Sequence, residues 1–194
     1  MKSKVVSKII GGKYKGKILQ LPSLEVTRSS KSILKESFFN VLQFDIMDAI
    51  FVEVFGGSGT IGLEALSRSA KHSYFCEIDK GSYKTLQYNC NSIDALNSTC
   101  LFGDSFEKIP QTLEQLKNKQ DEVIVYIDPP FEFRDGMDDI YDKSFDLVKN
   151  ITNENVILIT FEHMTGLEMP EDLGKFTKYK TKKFGKSSLT YYRV

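Results

Sequence analysis

The sequence predicts an α/β fold: an open, mostly parallel sheet, an antiparallel C-terminal hairpin strand, and a small N-terminal β-hairpin and helix ahead of it. Three observations carry this. Short apolar runs of strand length alternate with segments of helical spacing between residues 49 and 163. A glycine-rich turn follows the first of those runs and opens a helix. The last residues read as two β-prone runs around a Gly-Lys turn. A chain of 194 residues suits one domain with a small appendage. A hydrophobic fraction of 41% excludes a disordered chain, and no run approaches the ~18 apolar residues that span a bilayer.

The elements follow in order. Residues 8–21 hold two short β-prone runs around Gly11, Gly12 and Gly16, a small hairpin that Pro22 closes. Residues 28–44 place Ile33, Leu34, Phe38, Phe39, Val41 and Leu42 at helical spacing. Residues 49–55 form a strand, GGSGTIG turns the chain, and GLEALSRSA continues as a helix. Strands follow at 72–79, 98–102, 121–128 and 156–163, with helices at 80–92, 105–119 and 137–150 between them. Residues 176–194 close as a hairpin turning near Gly185 and Lys186. The first 45 residues stand outside the alternation, so the division expected is an extension over 1–45 and a main domain over 46–194.

A net charge of zero hides a segregation. Residues 1–35 hold nine Lys or Arg and one acid, and residues 173–194 hold seven and none, around a strongly acidic centre. Two basic ends predict a polyanion-binding surface. Cys76, Cys90 and Cys100 have no paired spacing, and His72 and His163 are the only histidines, so neither a disulfide framework nor a metal site is expected. With no apolar N-terminal core for a secretory signal, the expectation is a cytoplasmic protein with reduced thiols and no membrane partner.

Gly57-Ser58-Gly59-Thr60-Ile61-Gly62 has the G-x-G-x-x-G spacing between a strand and a helix. Glu77 ends the next strand, where a carboxylate accepts ribose hydroxyls. A nicotinamide cofactor would place its pyrophosphate on such a loop. An adenosyl-methionine site uses the same loop and acid but carries an ammonium and a sulfonium, which favour nearby carboxylates. Glu53 lies inside the first apolar strand, so it needs a structural or ligand partner near the loop. Asp128-Pro129-Pro130-Phe131 then follows the strand EVIVYI. Asp128 and the Pro129 carbonyl suit the two N–H donors of an exocyclic amino group, and Phe131 offers a stacking face for its base.

With those residues in view, the chain resembles the RsmD family of 16S rRNA guanine-N2 methyltransferases, class I enzymes that use S-adenosyl-L-methionine. The resemblance rests on four blocks: IIGGKYKGK (9–17), KESFFNVL (35–42), FGGSGTIGLEALSR (55–68) and DPPF (128–131). Lys183-Phe184-Gly185 and Tyr191-Tyr192-Arg193 fit as well. The sequence departs at 27–36, where Ser29-Ser30 and Ser32-Ile33 stand in place of the family's Pro-Thr and Asp-Arg pairs.

The resemblance implies a Rossmann-like, seven-stranded class I methyltransferase domain and transfer of a methyl group to guanosine N2 in 16S rRNA. It implies a substrate in a 30S particle or assembly intermediate and no required metal; with no coiled-coil or dimer signature in the sequence, a monomer is expected. Asp128, Pro129, Pro130 and Phe131 become the catalytic residues. Glu53, Phe55, Gly57, Gly59, Glu77, Ile78 and Asp104 become the cofactor pocket, Asp104 having a second reading as a helix N-cap. Lys13, Lys15, Lys17, Arg28, Lys31 and Lys35 become phosphate contacts of an RNA-binding extension, with Lys180, Lys182, Lys183 and Lys186 extending them. Three other readings remain: methylation of adenine N6, an NAD-dependent oxidoreductase, and a non-catalytic RNA-binding factor.

Overall fold

In the computed structural model, residues 6–22, 28–130 and 139–194 are described. A two-stranded hairpin comes first: β1 (Val6–Lys8) pairs antiparallel with β2 (Ile18–Gln20). Then follow α1 (Arg28–Val41), β3 (Ile50–Glu53), α2 (Thr60–Ser67), β4 (His72–Glu77), α3 (Lys80–Ile93), β5 (Ser98–Phe102), α4 (Ser105–Leu116) and β6 (Val123–Ile127). The chain ends with α5 (Ile140–Lys149), β7 (Val156–Met164), β8 (Asp172–Leu173), β9 (Phe176–Phe184) and β10 (Ser187–Arg193).

The main sheet runs β5-β4-β3-β6-β7-β10-β9-β8. Its first five strands are parallel; β10 then pairs antiparallel with β7, β9 antiparallel with β10, and β8 antiparallel with β9. The expected seven strands are present, and the two-residue β8 makes an eighth on the edge of β9. The chain steps outward from β3 through β4 to β5, then returns to lay β6 on the other side of β3. That reversal makes β3 and β6 the switch point, where open α/β sheets receive ligands at their C-terminal strand ends.

Helices cover both faces. On one, α1, α2, α3 and the N-terminal hairpin bury Ile9, Leu19, Leu34, Phe38, Phe39, Leu66 and Leu86 against Phe51, Phe75, Tyr126 and Tyr191. On the other, α4 and α5 bury Ile109, Leu113, Leu116 and Val148 against Val52, Val125, Ile159 and Phe161. Parallel strands buried on both faces read as continuous apolar runs, as VIVYI does in β6. The N-terminal hairpin and α1 thus share one core with the sheet. Among the described residues, no helix is long and apolar enough to cross a membrane.

Candidate functional site

Two loops meet at the switch point. The first follows β3. Gly57 and Gly59 have φ of 51° and 76°, left-handed values that glycine adopts without strain. Gly59 also packs tightly, since a Cβ there would lie 2.7 Å from Leu86 Cδ1, whereas nothing lies within 4 Å of one placed on Gly57. Gly57 is therefore the open point of the loop.

Two carboxylates and a carboxamide hold this loop in place. Glu77, at the end of β4, accepts the Gly57 N–H at 2.8 Å and the Asp79 N–H at 2.7 Å. Burial raises its pKa above the ordinary 4.5, and the N–H groups of Asp79, Gly57 and Ile78 oppose that rise. Glu53 is buried at the end of β3 and accepts the Gly62 N–H at 2.9 Å. The partner that an acid in an apolar strand requires thus includes the first turn of α2. Asn89, buried on α3, donates to Ser58 O at 2.8 Å and to Gln20 O at 2.9 Å, and it accepts from Gln20 N. It ties the loop to the N-terminal hairpin. Asp104, exposed after β5, accepts the Phe106 N–H at 2.9 Å and is the N-cap of α4.

The second loop follows β6. Glu53 and Tyr126 are register partners on β3 and β6, so Asp128 comes two residues beyond the carboxylate that anchors the first loop. Pro129 is buried, while Asp128 and Pro130 are half-buried. Phe131 lies outside the described residues. The remaining predicted pocket residues border the crevice. Phe55 is half-buried with its ring edge-on to Phe106 at 6.0 Å, and Ile78 is 61% exposed after β4. A separate cleft of about 470 Å³ between α4 and α5 reaches Asp104, but Glu53, Gly57, Glu77 and Asp128 do not line it.

The predicted phosphate contacts divide. Lys15 and Lys17 are exposed, as are Lys180, Lys183 and Lys186 on the C-terminal hairpin. Lys13 is exposed but leans on Asp94 at 3.3 Å and on the Tyr14 ring. The side chains of Arg28 and Lys31 lie outside the described residues. Lys182 donates to Ser37 Oγ of α1 at 2.9 Å, joining the two basic ends of the chain. Lys35 is a correction. It is 4% exposed, donates to Lys8 O at 2.9 Å and pairs with Glu64 at 3.2 Å. Burial lowers its pKa and Glu64 opposes the drop. An ammonium committed inside the core cannot neutralise a surface phosphate.

Glu64 is a residue that the motif reading missed. It is fully buried and accepts the N–H groups of Ile10 and Gly11, each at 2.8 Å, while Lys35 and Arg68 supply its charge partners. Ser67 completes the clamp, accepting from Tyr14 N at 2.9 Å and donating to Gly11 O. The IIGGKYKG block is therefore a docking loop on the end of α2. A signal for it was legible: a glutamate within the apolar run of α2. Asn89 gives the same signal among Leu86, Cys90 and Ile93 on α3.

The model of the conserved hypothetical protein 95 family matches residues 7–193 of this chain. Among curated proteins, the ribosomal RNA small subunit methyltransferase D of Escherichia coli K12 is 32% identical over 124 residues. That match spans 64% of this chain and 60% of the relative's length. The protein of the same name from Buchnera aphidicola of Acyrthosiphon pisum is 27% identical over 90% of this chain and 86% of its own. Among solved structures, yhhF of Escherichia coli superimposes with a TM-score of 0.75 at 27% identity, covering 97% of this chain and 98% of that one. A SAM-dependent methyltransferase from Agrobacterium tumefaciens shares the fold at 11% identity, with a TM-score of 0.65 over 100% of this chain and 71% of that one.

Proposed function

Since the chain belongs to the conserved hypothetical protein 95 family, we propose that it transfers a methyl group from S-adenosyl-L-methionine to the N2 amino group of a guanosine in 16S rRNA. The observation that carries this reading is the adjacency of the two loops. A glycine turn held by Glu77 and an Asp-Pro-Pro turn stand on neighbouring strands at the sheet's switch point. The curated relatives named above act, by their names, on small-subunit ribosomal RNA. An NAD-dependent oxidoreductase would use the first loop and leave the second unexplained.

The residues present fit the cofactor. The open face of Gly57 admits a close approach. Glu77 is fixed by two backbone donors and, as a carboxylate, retains acceptor capacity for the ribose hydroxyls. Ile78 supplies the apolar wall for the adenine, and Asp104 stands at the crevice edge with its cap bond made. Glu53 adds negative charge beneath the loop for the amino-acid end. S-adenosyl-L-methionine supplies a methyl group on a sulfonium, an electrophile that needs a correctly placed nucleophile and no metal.

The guanine amino group is a poor nucleophile because its lone pair is delocalised into the ring. Asp128 and the Pro129 carbonyl accept its two N–H donors and favour the pyramidal form. Positioning then provides much of the acceleration. As the N–C bond forms, the nitrogen turns acidic and releases a proton to Asp128 or to water. The base must leave its stack to reach this loop, and Phe131 offers it a new stacking face. Lys13, Lys15 and Lys17, Arg28, Lys31, and Lys180, Lys183 and Lys186 serve as phosphate contacts around the crevice. The substrate is rRNA within a 30S particle, and the enzyme acts as a monomer.

The direct test incubates the protein with labelled S-adenosyl-L-methionine and 30S particles from a strain that lacks it. Label in N2-methylguanosine after digestion is the expected result. Label in N6-methyladenosine would overturn the base assignment, and absence of cofactor binding by calorimetry would overturn the enzyme class.

A further inference from the structure

The lysines given above as phosphate contacts stand at two different heights on the sheet. Strands β3 to β7 are parallel, so their C-terminal ends share one edge, and both loops of the crevice leave from it. From that crevice edge, α2 starts at Thr60 and ends at Ser67, a descent of about 12 Å at 1.5 Å per residue. Beside it, α3 starts at Lys80 and descends to Asp94. The N-terminal loop docks on these far ends. Lys13 N donates to Ser67 O at 2.7 Å and Tyr14 N to Ser67 Oγ at 2.9 Å, while the Lys13 ammonium and the Tyr14 hydroxyl both reach Asp94. Lys15 and Lys17 follow in turns closed on Gly12 O and Tyr14 O, and both are exposed. They flank the edge away from the crevice.

The C-terminal hairpin has the opposite sense. In β10, Ser187 lies opposite Met164 and Arg193 opposite Leu158, so the turn at Gly185 and Lys186 emerges at the crevice edge. Thr165 N donates to Lys186 O at 2.8 Å, and the Thr165 and Ser188 hydroxyls share a hydrogen bond at 2.8 Å, which fixes this tip to the end of β7. Ile127 pairs with Phe161, so Asp128 is level with Glu162, two residues short of Met164. Lys183 pairs with Ser188, which pairs with His163, so Lys183 is at the same height. Both Lys183 and Lys186 are exposed. Three strand spacings, about 14 Å, separate β9 from the strand that leads to Asp128. Five spacings, about 24 Å, separate β9 from β4, on which α2 packs. The two groups of lysines thus occupy opposite corners of the sheet.

We propose that the substrate is gripped at two separate stretches. The tip of the C-terminal hairpin, through Lys183 and Lys186, seats the phosphates that flank the target nucleotide. The N-terminal loop, through Lys15 and Lys17, holds RNA remote from it. This rests on the RNA substrate proposed above. The near grip sets where the amino group sits relative to the methyl donor. The far grip adds binding that is equal in the ground state and the transition state. The substrate class that fits is a polynucleotide that presents backbone at both corners, about 24 Å or more apart.

The test compares Lys183→Gln/Lys186→Gln with Lys15→Gln/Lys17→Gln, each in the full-length protein acting on 30S particles, with folded enzyme counted by cofactor-binding stoichiometry. Each double variant should make the fall of log association constant with log salt shallower by about two, one per phosphate contact. In the C-terminal variant kcat should also drop about tenfold, the cost of a small misplacement of the reacting atoms. In the N-terminal variant KM should rise with kcat within about twofold of wild type. Hydroxyl-radical footprints on the particle should lose protections beside the methylated nucleotide in the first variant and at a separate stretch in the second. Loss of the same protections in both variants overturns the proposal, as does an unchanged salt slope in either. A wild-type protein that neither binds nor methylates the particle means that the RNA reading itself has failed, a different outcome from a misplaced grip.

Discussion

Two glycine loops on this molecule are each held by a glutamate that accepts their backbone N–H groups, yet the two clamps have opposite surroundings. Glu64 holds Ile10 and Gly11, lies fully buried, and has Lys35 and Arg68 as cation partners. Glu77 holds Gly57, remains half-buried, and has backbone N–H groups as its recorded donors. The glycines differ in the same sense. A Cβ on Gly12 would lie 1.7 Å from the Ser67 carbonyl oxygen, whereas one on Gly57 would meet nothing within 4 Å. In the first loop glycine permits the chain to touch itself. In the second it leaves room for something else. A satisfied, charge-neutralised clamp holds structure together; a clamp with spare acceptor capacity beside open space is fit for a ligand.

Substitutions can break this contrast. The largest effect is expected for Gly12→Ala, whose methyl would force the loop off α2 and strand Glu64. A loss of about 4 kcal/mol in urea-unfolding stability is the scale for such a backbone clash. A loss under about 1 kcal/mol would refute the docking role. Glu64→Gln comes next, at about 3 kcal/mol, because it leaves the buried Lys35 without its counter-charge. Cofactor affinity of the folded fraction, read by calorimetry, should change less than about threefold in both variants.

The second loop should respond the other way round. Glu77→Ala should weaken cofactor binding about 10- to 100-fold, the loss of one or two hydrogen bonds to a charged group. Its midpoint of urea unfolding should move far less than that of Glu64→Gln. Gly57→Ala should cost about 1 kcal/mol in stability, the penalty for a left-handed residue that gains a Cβ, together with a measurable loss of cofactor affinity. Equal affinity in wild type and Gly57→Ala would mean that the open face is not used.

The smallest effect is in pH. The pKa of Glu77 is raised in the folded state, so as pH rises the unfolded chain loses this proton first. Wild-type stability should therefore decline relative to Glu77→Gln as pH climbs from near 4.5 through the raised folded value, and run parallel outside that window. Cofactor affinity should change in the opposite direction, rising over the same window as the carboxylate forms. A pH-independent difference between the two proteins would remove the burial effect from the account.

The two loops also differ in how far the sequence disclosed them. Residues 57–62 were legible as a turn between a strand and a helix, and Glu77 as the end of the next strand. The first loop carried as clear a pattern but not its meaning. Its lysines suggested phosphate contact, and nothing local reveals that Lys35 turns inward to Glu64 and Lys8 O. A lysine on a helix reads as solvated until its partner across the fold is known. Asp104 illustrates an undecided case: both the cap and the pocket reading fit the sequence, and the structure makes the cap bond.

By itself, then, the sequence determined what depends on near neighbours in the chain. It determined the alternation of strands and helices, the turning of the β9–β10 hairpin at Gly185, and the two motifs at strand ends. Periodicity and turn chemistry act over a few residues, so they can be read directly. The tertiary structure alone decided which carboxylates are clamps and which remain available. Glu64 and Gly11 are 53 residues apart, Asn89 and Gln20 are 69 apart, and Tyr126 and Glu162 are 36 apart. The energetic role of a carboxylate is set by its burial and by the donors that reach it, and those come from distant segments brought together by the fold.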